Sequence, residues 1–152
     1  MATLSQAIEA AAKLPLNDAA YSLWMQKWQL DCEERPSPQG AEQRQDLADP
    51  EIFGRAVRDA IANVRKEQES AHNGATFLRL KVAHPGATAQ ALQNAIKSAV
   101  KLDADCTRHF SYSDSGLWQD AQRAIELVRE ENPNFLDSTY KSAVLYMCQA
   151  MR

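Results

Sequence analysis

The chain has 152 residues, of which 45% are hydrophobic and 24% charged, so it is long enough for one globular domain with a core and too apolar for wholesale disorder. No apolar run approaches the roughly 20 residues that a membrane span requires, and we expect no membrane partner. The formal net charge of −3 argues against a protein that simply coats nucleic acid.

The first predicted helix begins at a capping box. Thr3 is followed three residues later by Gln6, so the Thr3 hydroxyl and the Gln6 amide can each satisfy a backbone N–H of the first turn. Pro15 cannot continue a helix, and the pattern therefore predicts that this helix ends near Leu14.

A second helix is predicted from a cap at Asn17 or Asp18 to about Glu34. Its large apolar residues recur at i, i+3, i+4 and i+7, the spacing of one helix face. They are Tyr21, Trp24, Met25 and Trp28. This spacing favours rings buried in the core over an aromatic platform for a ligand.

The next stretch contains the clearest loop of the chain, at 35–40, with two prolines and a glycine. One or two helical turns are predicted at 41–48, and Asp49-Pro50 opens a longer helix that ends at Asn73-Gly74. The apolar face of that helix consists of Phe53, Ala56, Val57, Ala60, Ile61 and Val64.

The segment 75–84 is ambiguous, because apolar residues alternate with Arg79 and Lys81 as in a strand. A lone strand leaves its backbone groups without partners, and no second convincing strand exists in the chain. We expect helix or irregular turn here, with at most one short strand near 76–83.

Three further helices are predicted after Pro85-Gly86. Thr88 can cap a long one, Asp114 or Ser115 the next, and Asp137 or Ser138 the last. Each predicted helix has one apolar stripe and one polar face, so none should be fully buried at the centre. The stripes of the last two helices include Trp118 and Ile125 in one and Tyr140 and Val144 in the other. The sequence thus predicts an all-α fold, a single-domain bundle of five to six antiparallel helices covering residues 1–152.

The cellular location is predicted from the N-terminus and the cysteines. Met1–Leu14 has no basic start and carries Glu9 within its apolar stretch, unlike a signal peptide. Three cysteines, an odd number at irregular spacing, argue against a disulfide framework. A cytoplasmic protein is the simplest interpretation.

One group of residues resembles half of a metal or catalytic site. Cys106 and His109 lie three apart on a predicted helix, with Asp105 four before His109. No further ligand pair, nucleophile motif, phosphate loop or dinucleotide fingerprint accompanies them. A buried, inert Cys106 is therefore the favoured interpretation, and we expect a protein that is not an enzyme and has no cofactor.

Charge is distributed unevenly along the chain. Residues 54–101 carry eight basic and three acidic side chains, a balance of +5, whereas residues 1–53 and 102–152 have balances of −5 and −3. The basic residues of this middle segment fall mainly opposite predicted apolar stripes. The predicted partner- or phosphate-binding residues are Arg55, Arg58, Arg65, Lys66, Arg79, Lys81, Lys97 and Lys101.

Three functions are compatible with these features. The first is a non-catalytic helical interaction module, a small subunit or adaptor of a larger protein or nucleoprotein assembly. The second is direct binding of nucleic-acid phosphates by residues 54–101, because no base-reading motif is present. The third is a metal-binding protein or enzyme that uses Cys106 and His109. A protein partner is expected in the first case, and the sequence does not identify a small-molecule ligand.

Overall fold

A computed structural model describes residues 3–34 and 74–151, which form seven α-helices and no strand. The all-α class is therefore confirmed for this part of the chain. Seven helices exceed the predicted five to six, even though the turns expected at 41–48 and the helix expected from Asp49 lie outside the described residues. The helices are α1 (Leu4–Ala12), α2 (Leu16–Met25), α3 (Lys27–Glu34), α4 (Ala75–Ala83), α5 (Ala89–His109), α6 (Leu117–Glu131) and α7 (Asp137–Ala150).

Two of the predicted helix caps are present. Thr3 Oγ1 accepts a hydrogen bond from the Gln6 backbone N–H at 3.2 Å, and Gln6 Oε1 accepts one from the Thr3 backbone N–H at 3.0 Å. Thr88 Oγ1 likewise accepts a hydrogen bond from the Ala91 backbone N–H at 3.1 Å. The capping pattern in the sequence therefore located the starts of α1 and α5.

Asp18 has a different role from the predicted cap. It lies inside α2, whose N-cap is Pro15, and its residue exposure is only 2%. Its Oδ1 atom accepts hydrogen bonds from the Leu136 backbone N–H at 2.7 Å and from the Thr139 hydroxyl at 2.6 Å. The N-cap of α7 is Leu136, so the predicted caps at Asp137 and Ser138 are wrong, and a carboxylate from α2 satisfies this helix start instead.

The start of α6 also differs from the prediction. Neither Asp114 nor Ser115 caps it, because the N-cap is Gly116 with a φ of 97°, a left-handed conformation that favours glycine. Asp120 lies one turn inside the helix and accepts a hydrogen bond from the Ser113 backbone N–H at 2.9 Å. The carboxylate thus binds the incoming chain from within the helix.

α2 lies at the centre of the described helices and contacts α1, α3, α4, α5 and α7. Its residues 18–21 are four consecutive buried positions, which cover every side of one helical turn. The expectation that no helix is central was therefore wrong. Ala19 and Ala20 in α2 and Ala95 and Ala99 in α5 are fully or almost fully buried, and their small side chains permit close approach of helices.

The ambiguous segment is helical, as α4. Its buried residues are Thr76, Arg79, Leu80 and Ala83, at i, i+3, i+4 and i+7. Two of these four buried positions are polar, while Leu78 and Val82 are more than 60% exposed. The buried face of this helix is unusually polar and its exposed side carries apolar residues. Polar and apolar residues therefore alternate along the sequence, as they do in a strand.

The tryptophans were predicted to fill the core, and Trp28 is instead 60% exposed. The physical reason is a break at Gln26, which ends α2 and starts α3, so the apolar stripe does not continue to Trp28. Trp24 is half-buried, and its Nε1–H donates to Asp103 Oδ2 at 3.2 Å. Lys27 Nζ lies 3.5 Å from the centre of the Trp24 ring, a cation–π contact.

Among residues 3–34 and 74–151, none of the helices combines the length and apolar composition needed to cross a bilayer. All three cysteines are free thiols: Cys32 is exposed, Cys148 half-buried and Cys106 buried.

We expect Arg79 to be important for stability, since its buried guanidinium pairs with Asp31 Oδ1 at 2.6 Å. Arg79→Ala leaves the Asp31 carboxylate without this partner and should lower the free energy of unfolding by about 3 kcal/mol. Lys81→Ala, at an exposed position of the same helix, should change it by less than about 0.5 kcal/mol. Urea denaturation of both variants measures these changes. Equal losses of unfolding free energy in the two variants would show that the ion pair between α3 and α4 does not stabilise the fold.

Candidate functional site

Four of the eight predicted cationic residues lie in the described part of the chain, and two of these four are bound by residues of the same chain. Lys81 and Lys97 are exposed on α4 and α5. Arg79 is buried against Asp31, so it differs from the surface position that was predicted for it. The other predicted cations of the middle segment, Arg55, Arg58, Arg65 and Lys66, lie outside the described residues.

Lys101 belongs to a polar network between α5 and α6. Its Nζ donates to Asp105 Oδ2 at 2.8 Å, to Asn132 Oδ1 at 3.2 Å and to the Glu131 carbonyl at 3.3 Å. Although its side chain is 55% exposed, its ammonium group is engaged by three acceptors of the same chain. Binding a phosphate would require at least some of these bonds to break.

Asp105 is the centre of this network and is buried. Burial opposes its ionisation, but hydrogen bonds from Lys101, Asn132 and Arg108 outweigh burial and hold the pKa of its carboxyl well below the usual range. Arg108 Nη2 reaches Asp105 Oδ1 at 3.1 Å and also Glu131 Oε2 at 2.6 Å. Asp105 therefore joins the end of α5 to the end of α6.

The proposed metal or catalytic group around Cys106 does not converge. Cys106 is 4% exposed, and burial together with the negative charges of Asp103 and Asp105 raises the pKa of its thiol to about 12. His109 Nε2 lies 3.0 Å from Glu131 Oε1, while Asp105 binds two cations and an amide. Nowhere in residues 3–34 and 74–151 do three or more His, Cys, Asp or Glu side chains form a group that could hold a metal ion.

A small polar cleft of about 280 Å³ lies near the start of α6. Asp120 in this cleft accepts hydrogen bonds from Ser113 and from Arg123, and its pKa is lowered chiefly by the Ser113 hydroxyl. Ser113, Asp120 and Arg123 thus bind one another, and His109 on the wall of the cleft binds Glu131. The cleft presents no charged group that is poised for a substrate.

A groove of about 560 Å³ that could hold a ligand lies between α6 and α7, here called the α6–α7 groove. Trp118 and Leu145 are 51% and 53% exposed, and Ile125 and Val144 are buried beneath them. The residues that line the groove are Trp118, Gln122, Ile125, Arg129, Asp137, Tyr140, Lys141, Val144 and Leu145. Such a groove has the size and mostly apolar lining of known binding sites.

The α6–α7 groove contains more positive than negative side chains. Arg129 forms an ion pair with Asp137, and its guanidinium lies 4.8 Å from the centre of the Tyr140 ring. Lys141 also lines the groove and has no ion pair with any residue of the described ranges. The groove therefore combines an apolar end, at Trp118 and Leu145, with a positive charge at Lys141, one helical turn from Leu145 along α7.

The sequence prediction missed this groove. Trp118, Ile125, Tyr140 and Val144 were assigned to the apolar stripes of the last two helices, which hid the fact that Trp118 is half-exposed. The sequence did contain one indication of the groove, since Leu145 lies beside the predicted apolar stripe of α7 and widens it. An apolar stripe that is too wide to be covered by one neighbouring helix indicates that a second element packs against it.

No protein-family model matches this chain, and neither a curated protein nor a solved structure matches it. The site must therefore be interpreted from its own geometry.

We predict that Asp105→Asn lowers the free energy of unfolding at pH 7 by about 2 kcal/mol, because the network loses its charged acceptor. The folded pKa of Asp105 lies below its unfolded value of about 4, so the ionised carboxylate stabilises the fold above about pH 4 and this contribution is lost as the pH falls further. The difference between wild type and variant should accordingly narrow below about pH 4.

Urea denaturation between pH 3 and pH 7 measures this difference. Asp114→Asn, at an exposed position outside the network, serves as the control and should show no such dependence. A destabilisation by Asp105→Asn that is equal at pH 3 and pH 7 would contradict the role of the ionised carboxylate.

We predict that Cys106 reacts slowly with a disulfide reagent at pH 8, because a thiol with a pKa of about 12 is almost fully protonated there. Cys32 is exposed and should react at once, whereas Cys106 should react only after denaturation. Thiol titration of wild type, Cys32→Ser and Cys106→Ser assigns the phases. One equivalent of zinc that is lost from Cys106→Ser would instead favour the metal-binding hypothesis.

Proposed function

We propose that this protein is a non-catalytic helical interaction module that binds a protein partner in the α6–α7 groove, as a small subunit or adaptor of a larger assembly. The observation that carries the proposal is the half-exposed Trp118 beside Leu145 at the mouth of an apolar groove. Tryptophan is enriched among residues that dominate binding energy at protein interfaces. Its ring offers a large apolar area with little conformational entropy to lose.

The position of the polar groups supports a non-catalytic function. Cys106, the nucleophile of the enzyme hypothesis, is buried with a raised pKa, and His109 is bound to Glu131. The groove itself contains Lys141 and the paired Arg129 and Asp137, but neither a serine, a cysteine nor a histidine. This set suits recognition better than covalent or acid–base chemistry.

Direct nucleic-acid binding through residues 54–101 has less support from the described residues. Arg79 is buried and Lys101 is engaged in the α5–α6 network, which leaves Lys81 and Lys97 as exposed cations of α4 and α5. Two lysines provide little of the counterion release that dominates phosphate binding. The hypothesis stays a prediction that depends on Arg55, Arg58, Arg65 and Lys66.

A photo-crosslinking amino acid placed in the groove tests the proposal. Replacing Gln122, which lines the groove, should give one discrete protein adduct in cells of the native host, whereas replacing the exposed Gln119 should not. Adding Leu145→Asp should abolish the adduct, because a charge then occupies the apolar end. Leu145 is 53% exposed, so this substitution should leave the melting temperature nearly unchanged.

Mass spectrometry identifies the adduct, and circular dichroism confirms that each variant is folded. Equal adducts from positions 119 and 122, or an adduct that persists with Leu145→Asp, would show that the groove is not the binding site. Absence of any adduct from position 122 would contradict a protein partner there.

A further inference from the structure

The groove wall on α6 has a regular spacing. Trp118, Gln122, Ile125 and Arg129 follow one another at intervals of four, three and four residues. This alternation of three and four is the spacing with which one α-helix faces another in a coiled coil. The wall of the groove is therefore shaped for contact with a further helix that runs along α6.

The opposite wall on α7 has matching positions. Asp137, Lys141 and Val144 are spaced four and three residues apart, with Tyr140 and Leu145 beside them. From Trp118 to Arg129 the wall extends over eleven residues, or about 16 Å at 1.5 Å per residue. About three turns of a third helix would fill this length, as a neighbouring helix does in a bundle.

The charges that line the groove indicate which kind of helix it would bind. Asp137 is the acidic residue that lines the groove, and it is already paired with Arg129. Lys141 has no ion pair among the described residues, so the groove carries one uncompensated positive charge. Burial of that ammonium group under an apolar partner would be costly unless the partner supplies an acceptor.

A second copy of the chain fits this requirement poorly. In a two-fold contact the same surface meets itself, so the Lys141 ammonium groups would enter two grooves that are both positively charged. Like charges across such an interface oppose association. An acidic partner satisfies Lys141, whereas the groove of another copy does not.

We propose that the α6–α7 groove binds an acidic amphipathic α-helix of a different protein, with its apolar side chains against Trp118 and Leu145 and a carboxylate at Lys141. Lys141 lies three residues before Val144 and four before Leu145, one helical turn along α7. The partner helix therefore carries its carboxylate about one turn from its main apolar side chain. This inference depends on the proposed function and specifies the chemistry of the partner.

The experiment uses the full chain and a displayed library of 15-residue, alanine-based helical peptides, randomised at positions i, i+3, i+4, i+7 and i+8. Selection on wild type, with Leu145→Asp as the negative target, should enrich peptides with apolar residues and a Glu or Asp one turn away. The best peptide is then synthesised together with a twin in which its acidic residue is replaced by lysine.

Fluorescence anisotropy measures the affinity of both peptides. Lys141→Glu should weaken binding of the acidic peptide about tenfold, since the reversal replaces an attraction by a repulsion, and the lysine twin should recover this loss on Lys141→Glu. Lys97→Glu, an exposed lysine of α5 outside the groove, changes the net charge equally and should have little effect. Recovery by the charge exchange locates the carboxylate at Lys141.

Two results would overturn this inference. One is enrichment of neutral or basic peptides, or of none that distinguish wild type from Leu145→Asp. The other is a concentration-dependent dimer in sedimentation analysis that Leu145→Asp abolishes, since the occupant is then a second copy. If crosslinking from position 122 still captures a partner, the interaction module stands and only its acidic specificity is wrong; if crosslinking also fails, the proposed function itself is wrong.

Discussion

The Asp18 carboxylate holds the start of α7 against α2. It is buried within α2, the helix that contacts five others, and it accepts hydrogen bonds from the Leu136 N–H and the Thr139 hydroxyl. A buried carboxylate without such donors would be strongly unfavourable, so the first turn of α7 has one well-defined position against α2. Since α7 forms one wall of the α6–α7 groove, the proposed binding surface depends on a contact at the molecular centre.

The local elements could be predicted from the sequence wherever a helix follows simple rules. The caps at Thr3 and Thr88 and the apolar stripes of α5 to α7 required no knowledge of the tertiary structure. What could not be predicted were contacts between residues far apart in sequence. Asp18 resembles a local cap, yet its hydrogen-bond partners lie 118 and 121 residues away.

The same distinction explains why two of the predicted surface cations, Arg79 and Lys101, are engaged within the fold. Helical spacing places Arg79 on one side of α4, but it does not reveal that this side faces Asp31 of α3. Likewise Lys101 lies on the polar side of α5, as predicted, but its ammonium group is bound by Asp105 and by the end of α6. Charge counts identify where cations lie along the chain, whereas pairing decides which of them can meet a partner. The groove shows the converse, because Trp118 was assigned to an apolar stripe and only its half-exposure points to the proposed binding surface.

The turn between α6 and α7 has an energetic consequence for recognition. Side chains donate hydrogen bonds to two backbone carbonyls at the end of α6. Asn132 Nδ2 donates to the Val128 carbonyl at 3.0 Å, and Lys101 Nζ donates to the Glu131 carbonyl at 3.3 Å. The Tyr140 hydroxyl donates to the Asn132 carbonyl, so the turn is bonded from both following and preceding helices. Because this turn is already held in place by hydrogen bonds, α6 and α7 lose little conformational entropy when a ligand binds between them. For the proposed partner helix, the loss of conformational entropy on binding then falls almost entirely on the partner, and a segment that is already helical in isolation should bind more tightly than one of equal composition that must first fold.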